Sequence, residues 1–336
     1  MNGWVVVTPQ PAAAGPLQLT EVPVPEPAGH EVLVRVHVCG LCRTDLHLAE
    51  GDLAPRRHGV VPGHEAVGRV VELGPDVTDL EIGDRVGIPW LRHTCGSCRW
   101  CRAGRENLCE TPAFTGWDAN GGFAEFAVID ERYAYRIPPE ILDHDAAPLL
   151  CAGIIGYRAL RRSKLPPGGR LGIYGFGASA HLTAQVALHQ GATVHVLTRS
   201  PAAQRLAIEL GCASAGEADA APPEPLDAAI LFAPAGELVP VALRALDRGG
   251  TLAVAGIHLT DIPTLSYADH LFQERSLCSV TANTRADGAE LLRLAASIPL
   301  RPKVSHYGFG ELDDALVDLA ADRVDGVAVV EVAECT

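Results

Sequence analysis

Residues 170–200 read RLGIYGFGASAHLTAQVALHQGATVHVLTRS. Residues 170–174 form a short apolar run that predicts a buried strand, 178–190 carry helical periodicity, and 193–197 are a second β-prone run. Between strand and helix lies Gly175-Phe176-Gly177-Ala178-Ser179-Ala180, a G-x-G-x-x-A turn whose backbone amides and helix N-terminus suit a pyrophosphate. Ala180 stands where a third glycine is common, a replacement the pattern tolerates. Strand, glycine turn, helix and strand in that order predict a parallel, doubly wound sheet that binds a dinucleotide.

The end of the second strand bears on which dinucleotide. An enzyme that reads a free ribose 2′-hydroxyl places a carboxylate about 20 residues after the turn. No Asp or Glu occurs between Gly175 and Ile208, and the strand ends in Thr198-Arg199-Ser200. Two hydroxyls and a guanidinium suit a 2′-phosphate, so NADP(H) is expected in preference to NAD(H). The plain alternative is an arginine solvated at a helix start.

The same texture extends outward. A helix is expected over 153–162, closed by Pro166-Pro167-Gly168-Gly169, then a helix over 201–210 and strands over 228–232 and 251–255. Residues 213–225 read as a surface loop. Before this region, 17–128 hold short Val-rich segments punctuated by Pro and Gly, at 31–38, 66–73, 84–88 and 123–128, which predict a β-rich domain. After it come helices over 288–297 and 311–320 and a strand over 327–332. These are assigned back to the first domain, giving 1–152 with 283–336 as one domain and 153–282 as an inserted dinucleotide domain.

The chain has 336 residues, 48% hydrophobic and 20% charged, with a net charge of −14, enough apolar material for a packed core and the wrong sign for nucleic acid or an anionic membrane. No apolar run reaches the length of a membrane span, and the first residues lack the pattern of a secretory leader, so a cytoplasmic location is expected. The lysines are Lys164 and Lys303, a bias without functional content.

The ten cysteines fall into a pattern. Cys95, Cys98, Cys101 and Cys109 form C-x2-C-x2-C-x7-C, within a lobe spanning about 92–112, which predicts a closed tetrahedral zinc site of structural type. A second, open set comprises Cys42, within Cys42-Arg43-Thr44-Asp45-Leu46-His47, His64, within Gly63-His64-Glu65, and Cys151, within Cys151-Ala152-Gly153. Two thiolates and an imidazole leave a fourth zinc position for water or substrate. Cys39, Cys212, Cys278 and Cys335 read as small apolar side chains.

These blocks, in this order and with the glycine turn after them, resemble the zinc-dependent medium-chain alcohol dehydrogenases over nearly the whole chain. The resemblance implies a GroES-like catalytic domain, a Rossmann domain, one catalytic and one structural zinc, and reversible oxidation of alcohols to aldehydes or ketones. It implies that Cys42, His64 and Cys151 hold the catalytic zinc, that Asp45 fixes the ring of His64, and that Glu65 sits beside the metal and exchanges with water. It further implies that Thr44 accepts the alcohol proton, passed by way of the coenzyme ribose to His47 and solvent. Arg43 would meet coenzyme phosphate, Trp90 would wall the substrate pocket, and backbone at Ala255, Val280 and Ala282 would bind the nicotinamide carboxamide. Thr198-Arg199-Ser200 is similar to NADP-dependent cinnamyl-alcohol-type members, whereas Trp90 and Cys-Ala-Gly are similar to microbial ethanol-type members. Many relatives carry Lys or Arg near the position of Val327, where this chain reads Gly326-Val327-Ala328-Val329. A small-molecule alcohol or aldehyde and a homodimer or homotetramer are the implied partners. A polyol or amino-acid-alcohol dehydrogenase and a noncatalytic NADP- and zinc-binding relative are the alternatives; the intact Cys42, Thr44, His47, His64 and Cys151 argue against the latter.

Overall fold

The computed structural model describes residues 1–256, 258–298 and 300–333; Cys335 lies outside them. The chain divides into two compact units, Met1–Cys151 with Ala282–Thr336, and Ala152–Thr281.

The first unit is built on a seven-stranded sheet. Its path runs Val304–Gly308, Val327–Glu331, Glu31–Leu41, Ala66–Leu73, Arg85–Ile88 and Tyr135–Arg136, with Phe126–Asp130 also paired to Glu31–Leu41. Glu31–Leu41 is the trunk, because it pairs antiparallel with three strands. Burial along it is nearly continuous: Val32, Leu33, Val34 and Val36 all lie in the core and only Arg35 is exposed, the burial of a strand covered on both faces over most of its length. The bulges that break its register with Ala66–Leu73 bend the trunk. Its last residues, Gly40 and Leu41, deliver the chain to Cys42 and to the helix Arg43–Glu50.

The second unit is a six-stranded, wholly parallel sheet in the order Ser214–Gly216, Thr193–Leu197, Arg170–Tyr174, Leu226–Leu231, Leu246–Val254, Ser276–Ser279. The order reverses direction at Arg170–Tyr174, the switch point at which such sheets open a crevice beyond their carboxyl ends. Gly175 follows that strand with φ +84°, and a Cβ there would lie 2.8 Å from the backbone nitrogen of Ala233. Only glycine meets both demands. The fold is thus GroES-like with a Rossmann sheet, as the motifs imply.

Four elements illustrate where the structure departs from the sequence reading. Residues 213–225 are not wholly loop: Ser214–Gly216 pairs with His195–Leu197 as an edge strand. Its Ser-Ala-Gly composition has little β preference, and pairing with a pre-formed neighbour supplies what propensity does not. The helix Leu238–Ala245 and the strand Val304–Gly308 were not anticipated. The expected 288–297 helix begins earlier, at Arg285, because Thr284 and Asp287 form a reciprocal capping box. No described helix is long and apolar enough to cross a membrane.

The four-cysteine lobe is tied to that helix start by one buried carboxylate. Glu106 accepts from Arg285 N at 2.8 Å, from Nε at 2.9 Å and from Nη2 at 2.9 Å, and the guanidinium lies 4.8 Å from the Tyr133 ring centroid. The bonds from Arg285 hold the Glu106 carboxyl below its ordinary range against the opposing effect of burial. A depressed carboxylate contributes stability that is present above the unfolded-state pKa and lost as pH falls through the folded-state value. Glu106→Gln is therefore expected to cost about 1–2 kcal/mol at neutral pH. Melting curves recorded from pH 7 to well below roughly 4 should show the deficit hold above the unfolded-state value and narrow beneath it; a constant deficit would assign the loss to packing.

Candidate functional site

Cys42 is the N-cap of Arg43–Glu50. Its Sγ accepts from Thr44 N at 3.3 Å, and its own N donates to Asp45 Oδ2 at 3.0 Å. Asp45, 3% exposed, turns its other oxygen to Gly63 N at 2.9 Å and lies 3.5 Å from His64 Nδ1. One buried carboxylate thereby fixes the Cys42 turn and the Gly63-His64-Glu65 turn together. His64 Nε2 faces Cys42 Sγ at 3.3 Å. Cys151 arrives on the π-helical turn Leu149–Gly153, which follows the helix Asp143–Pro148. One donor atom each from Cys42, His64, Glu65 and Cys151 lies within 4.8 Å of all the others.

The electrostatics of this set suit a cation. The Cys151 thiol and the His64 ring hold Cys42 well below the ordinary thiol range, whereas Cys151, beside that charge and buried, is pushed well up. Burial opposes charge on His64, yet the Cys42 and Asp45 charges outweigh it and raise the imidazole well above its usual value. Burial, and then the Cys42 charge, raise Glu65 well above the carboxylate range. Both Glu65 oxygens are buried without an N–H or O–H partner. A divalent ion among two sulfurs, a nitrogen and a carboxylate would relieve each of these, and the donor types are those zinc takes.

Glu65 has room only because residue 40 is glycine. A Cβ on Gly40 would come within 2.1 Å of Glu65 Oε2 and 2.9 Å of its Cβ. The sequence reading gave Gly40 no part, since the clash is between residues joined only by the sheet.

The second cluster is the lobe itself. Cys98 and Cys101 sulfurs are 3.5 Å apart, Cys109 and Cys95 3.6 Å, and Cys95 and Cys101 4.0 Å. Amides of Cys98, Cys95 and Thr111 point at sulfur, at 3.3 to 3.4 Å. Cys95, facing the Cys98 amide, is lowered to about 5, while desolvation and the neighbouring thiols push Cys101 up to about 12. Four sulfurs so close cannot all ionise without a metal. Its ligands are all cysteine, the composition of a closed site.

The remaining residues fall in two places. In the first unit Thr44 and His47 lie on Arg43–Glu50, where positions three apart share a face; His47 Nδ1 is 3.0 Å from Asp52 Oδ2. Arg43 is paired with the exposed Asp322. Trp90 packs its ring against His64, centroids 4.9 Å apart and near edge-on. Ala282 holds φ +45°. In the second unit Phe176 and Ala180 are buried and Ala178 and Ser179 half-buried, the Ser179 carbonyl accepting from Thr183 Oγ1. A Cβ at Gly177 would meet nothing within 4 Å, so the protein itself leaves that side open, the space a phosphate needs at a helix N-terminus. Ser200 caps the helix Pro201–Glu209, Arg199 is exposed and Thr198 is buried. Ala255 N and Val280 N donate to Leu231 and Val254 carbonyls. One carboxylate escaped the sequence reading: Glu217, just past the edge strand, accepts from Gln204 Nε2 at 3.2 Å. It comes from a neighbouring strand, where counting residues from the glycine turn does not look.

Residues 28–139 match the alcohol dehydrogenase GroES-like domain family, and 180–297 the zinc-binding dehydrogenase family. The probable alcohol dehydrogenase AdhA of Mycobacterium tuberculosis is 57% identical over 335 residues, 98% of this chain and 97% of that one. A cinnamyl alcohol dehydrogenase from Sorghum bicolor superposes with a TM-score of 0.89 at 27% identity, over 100% of this chain and 98% of that one. A Sinorhizobium meliloti protein solved with NADP bound gives 0.86 at 28% identity, over 98% of each chain.

Gly40 offers a test of the packing at Glu65 that needs no turnover. Forcing a methyl into the space of that carboxylate is expected to cost about 1–3 kcal/mol in Gly40→Ala. The same substitution made in a Glu65→Ala background should cost markedly less, as urea denaturation of the four proteins of the cycle would read. Strict additivity would mean the two side chains do not compete for space.

Proposed function

The chain belongs to the zinc-dependent medium-chain alcohol dehydrogenases, and on that premise we propose that it interconverts primary alcohols and aldehydes with NADP(H) as preferred coenzyme, using two zincs. The observation that carries the reading is the set of Cys42, His64, Glu65 and Cys151, in which His64 and Glu65 are buried and the carboxylate has no N–H or O–H partner. In this proposal Cys42, His64 and Cys151 hold the catalytic zinc with Glu65 beside it, and Cys95, Cys98, Cys101 and Cys109 hold the structural one. When bound, the catalytic zinc supplies a Lewis acid for the substrate oxygen.

The chain's own residues do the rest. Asp45 holds the His64 ring and both ligand turns in register, so the donors need no rearrangement. Thr44 would accept the alcohol proton, and His47, oriented by Asp52, would release it to solvent, a duty suited to imidazole. Trp90 against His64 would exclude water from one side of the reacting carbon. Gly175 to Ala180 would take the pyrophosphate, Arg43 a phosphate, and backbone at Ala255, Val280 and Ala282 the carboxamide. Assembly as a homodimer or homotetramer and a cytoplasmic location belong to the same proposal, on family resemblance alone.

The two metal sets should separate on substitution. Cys42→Ser or His64→Ala is expected to abolish nearly all turnover while coenzyme still binds, and metal analysis should fall from about two zincs per chain to about one. Cys98→Ser should lower the melting temperature first. Unchanged melting with abolished chemistry in Cys98→Ser would reverse the two roles.

Coenzyme choice rests on Thr198, Arg199 and Ser200. A guanidinium can meet a 2′-phosphate with paired charge-assisted bonds of about 1.5–3 kcal/mol each, enough to favour NADPH over NADH by roughly 10²-fold. Thr198→Asp combined with Arg199→Ala is expected to invert the preference in steady-state kinetics. A tenfold or greater preference of the unmodified protein for NADH would remove the reading.

A further inference from the structure

Beyond Trp90, the wall beside the metal set continues through two aromatic residues to a cation. Trp90 stacks with Phe114, centroids 4.8 Å apart and planes 18° from parallel, and with Trp117 at 6.0 Å and 11°. Phe114 and Trp117 are themselves 5.9 Å apart and 26° from parallel. The Arg56 guanidinium lies over the outer ring, 3.7 Å from the Trp117 centroid. All three rings are half-buried.

Arg56 is held there by more than solvent. Its Nη1 donates to Asp118 Oδ1 at 2.7 Å, and Asp118 Oδ2 accepts from Phe114 N at 2.8 Å. Trp117 Nε1 donates to Ala54 O at 2.9 Å, which fastens the loop carrying Arg56 to the same ring. A surface arginine would sample many rotamers; this one is restrained by stacking, by an ion pair and by its loop. Asp118 uses one of its five N–H groups, and about half the side chain remains exposed.

We propose that Arg56, set on Trp117 and aimed by Asp118, is a specificity residue that selects flat, conjugated alcohols and aldehydes carrying a carboxylate at the end remote from the reacting carbon. The proposal rests on the alcohol dehydrogenase reading of the metal set. Each part follows from the chemistry of the wall. The half-buried edges of three rings favour an aromatic, planar body, which can pack against them, over a branched or flexible one. A guanidinium with unused donors at the outer end recognises a planar anion by paired hydrogen bonds.

The test uses the zinc-replete full chain with NADPH and two matched pairs: 4-formylbenzoate against 4-methylbenzaldehyde, and 4-formylcinnamate against 4-methylcinnamaldehyde. The unmodified protein should show the higher kcat/KM for the carboxylate member of at least one pair. Arg56→Gln should lower that value about tenfold, mostly through KM, and leave the methyl member within about twofold. Trp117→Ala should weaken both members of the pair and Trp117→Phe should restore them. Calorimetric binding of the unreactive 4-carbamoylbenzoate and 4-methylbenzamide should repeat the pattern without turnover. Equal effects of Arg56→Gln on both members, or no carboxylate preference in either pair, would overturn the proposal. Turnover of short aliphatic aldehydes with none of the aromatic ones would overturn it while leaving the dehydrogenase reading intact. No turnover of any alcohol or aldehyde by the zinc-loaded protein would end both.

Discussion

A carboxylate buried in a protein interior must find donors or lose its charge, and at Asp45 that requirement organises the catalytic unit. The donors it finds are the amides of Cys42 and Gly63, with the His64 ring beside them. Burial, with the nearby Cys42 charge adding to it, raises its carboxyl above the ordinary range, and the His64 ring and the Cys42 amide work against that rise. Because the two amides belong to the residues at which the two ligand-bearing turns begin, satisfying Asp45 brings Cys42 and His64 together before any metal binds. Glu65 then follows by chain geometry into the space that Gly40 leaves open. The cost of assembling like-charged donors is thereby met in part by hydrogen bonds that do not involve the metal.

The dinucleotide unit solves a different problem, that of presenting bare backbone. Gly175 lies against Ala233 at the switch point of the sheet, while Gly177 has nothing near it. The first glycine is required by the protein and the second is left for a ligand. Sequence alone shows both as letters of one motif; the distances separate their duties.

Legibility followed the range of the interactions. The strands Arg170–Tyr174, Thr193–Leu197 and Ala66–Leu73 have the bounds that their apolar runs predict, because burial on a known face leaves a local trace. Ser214–Gly216 and Val304–Gly308 did not, since an edge strand borrows its order from a neighbour. Within the site, metal-type residues stand out by spacing and by the short motifs around them. The residues that give those donors room and surroundings do not: Gly40, Phe114, Trp117 and Arg56 act through contacts whose partners lie elsewhere in the chain, as does Glu217 in the second unit. Arg43, expected to face phosphate, meets Asp322 across the unit, a pairing no local pattern announces.

The trunk strand Glu31–Leu41 has a consequence for how the protein is made. One of its neighbours, Val327–Glu331, comes from the far end of the numbering, and Val304–Gly308 pairs, among the described residues, with that neighbour alone. The parallel sheet of the second unit lies wholly within a contiguous stretch and can fold as soon as it leaves the ribosome. The trunk, carrying the turn to Cys42, must wait with an unpaired edge until almost the whole chain has emerged, and its closing contacts carry a large loop-closure entropy. Between the completion of Ser276–Ser279 and the arrival of Val327–Glu331, the nascent protein therefore has one sheet complete and the other open along the strand that leads to its metal ligands. That interval, rather than the finished fold, is when edge-to-edge association between chains competes with correct assembly.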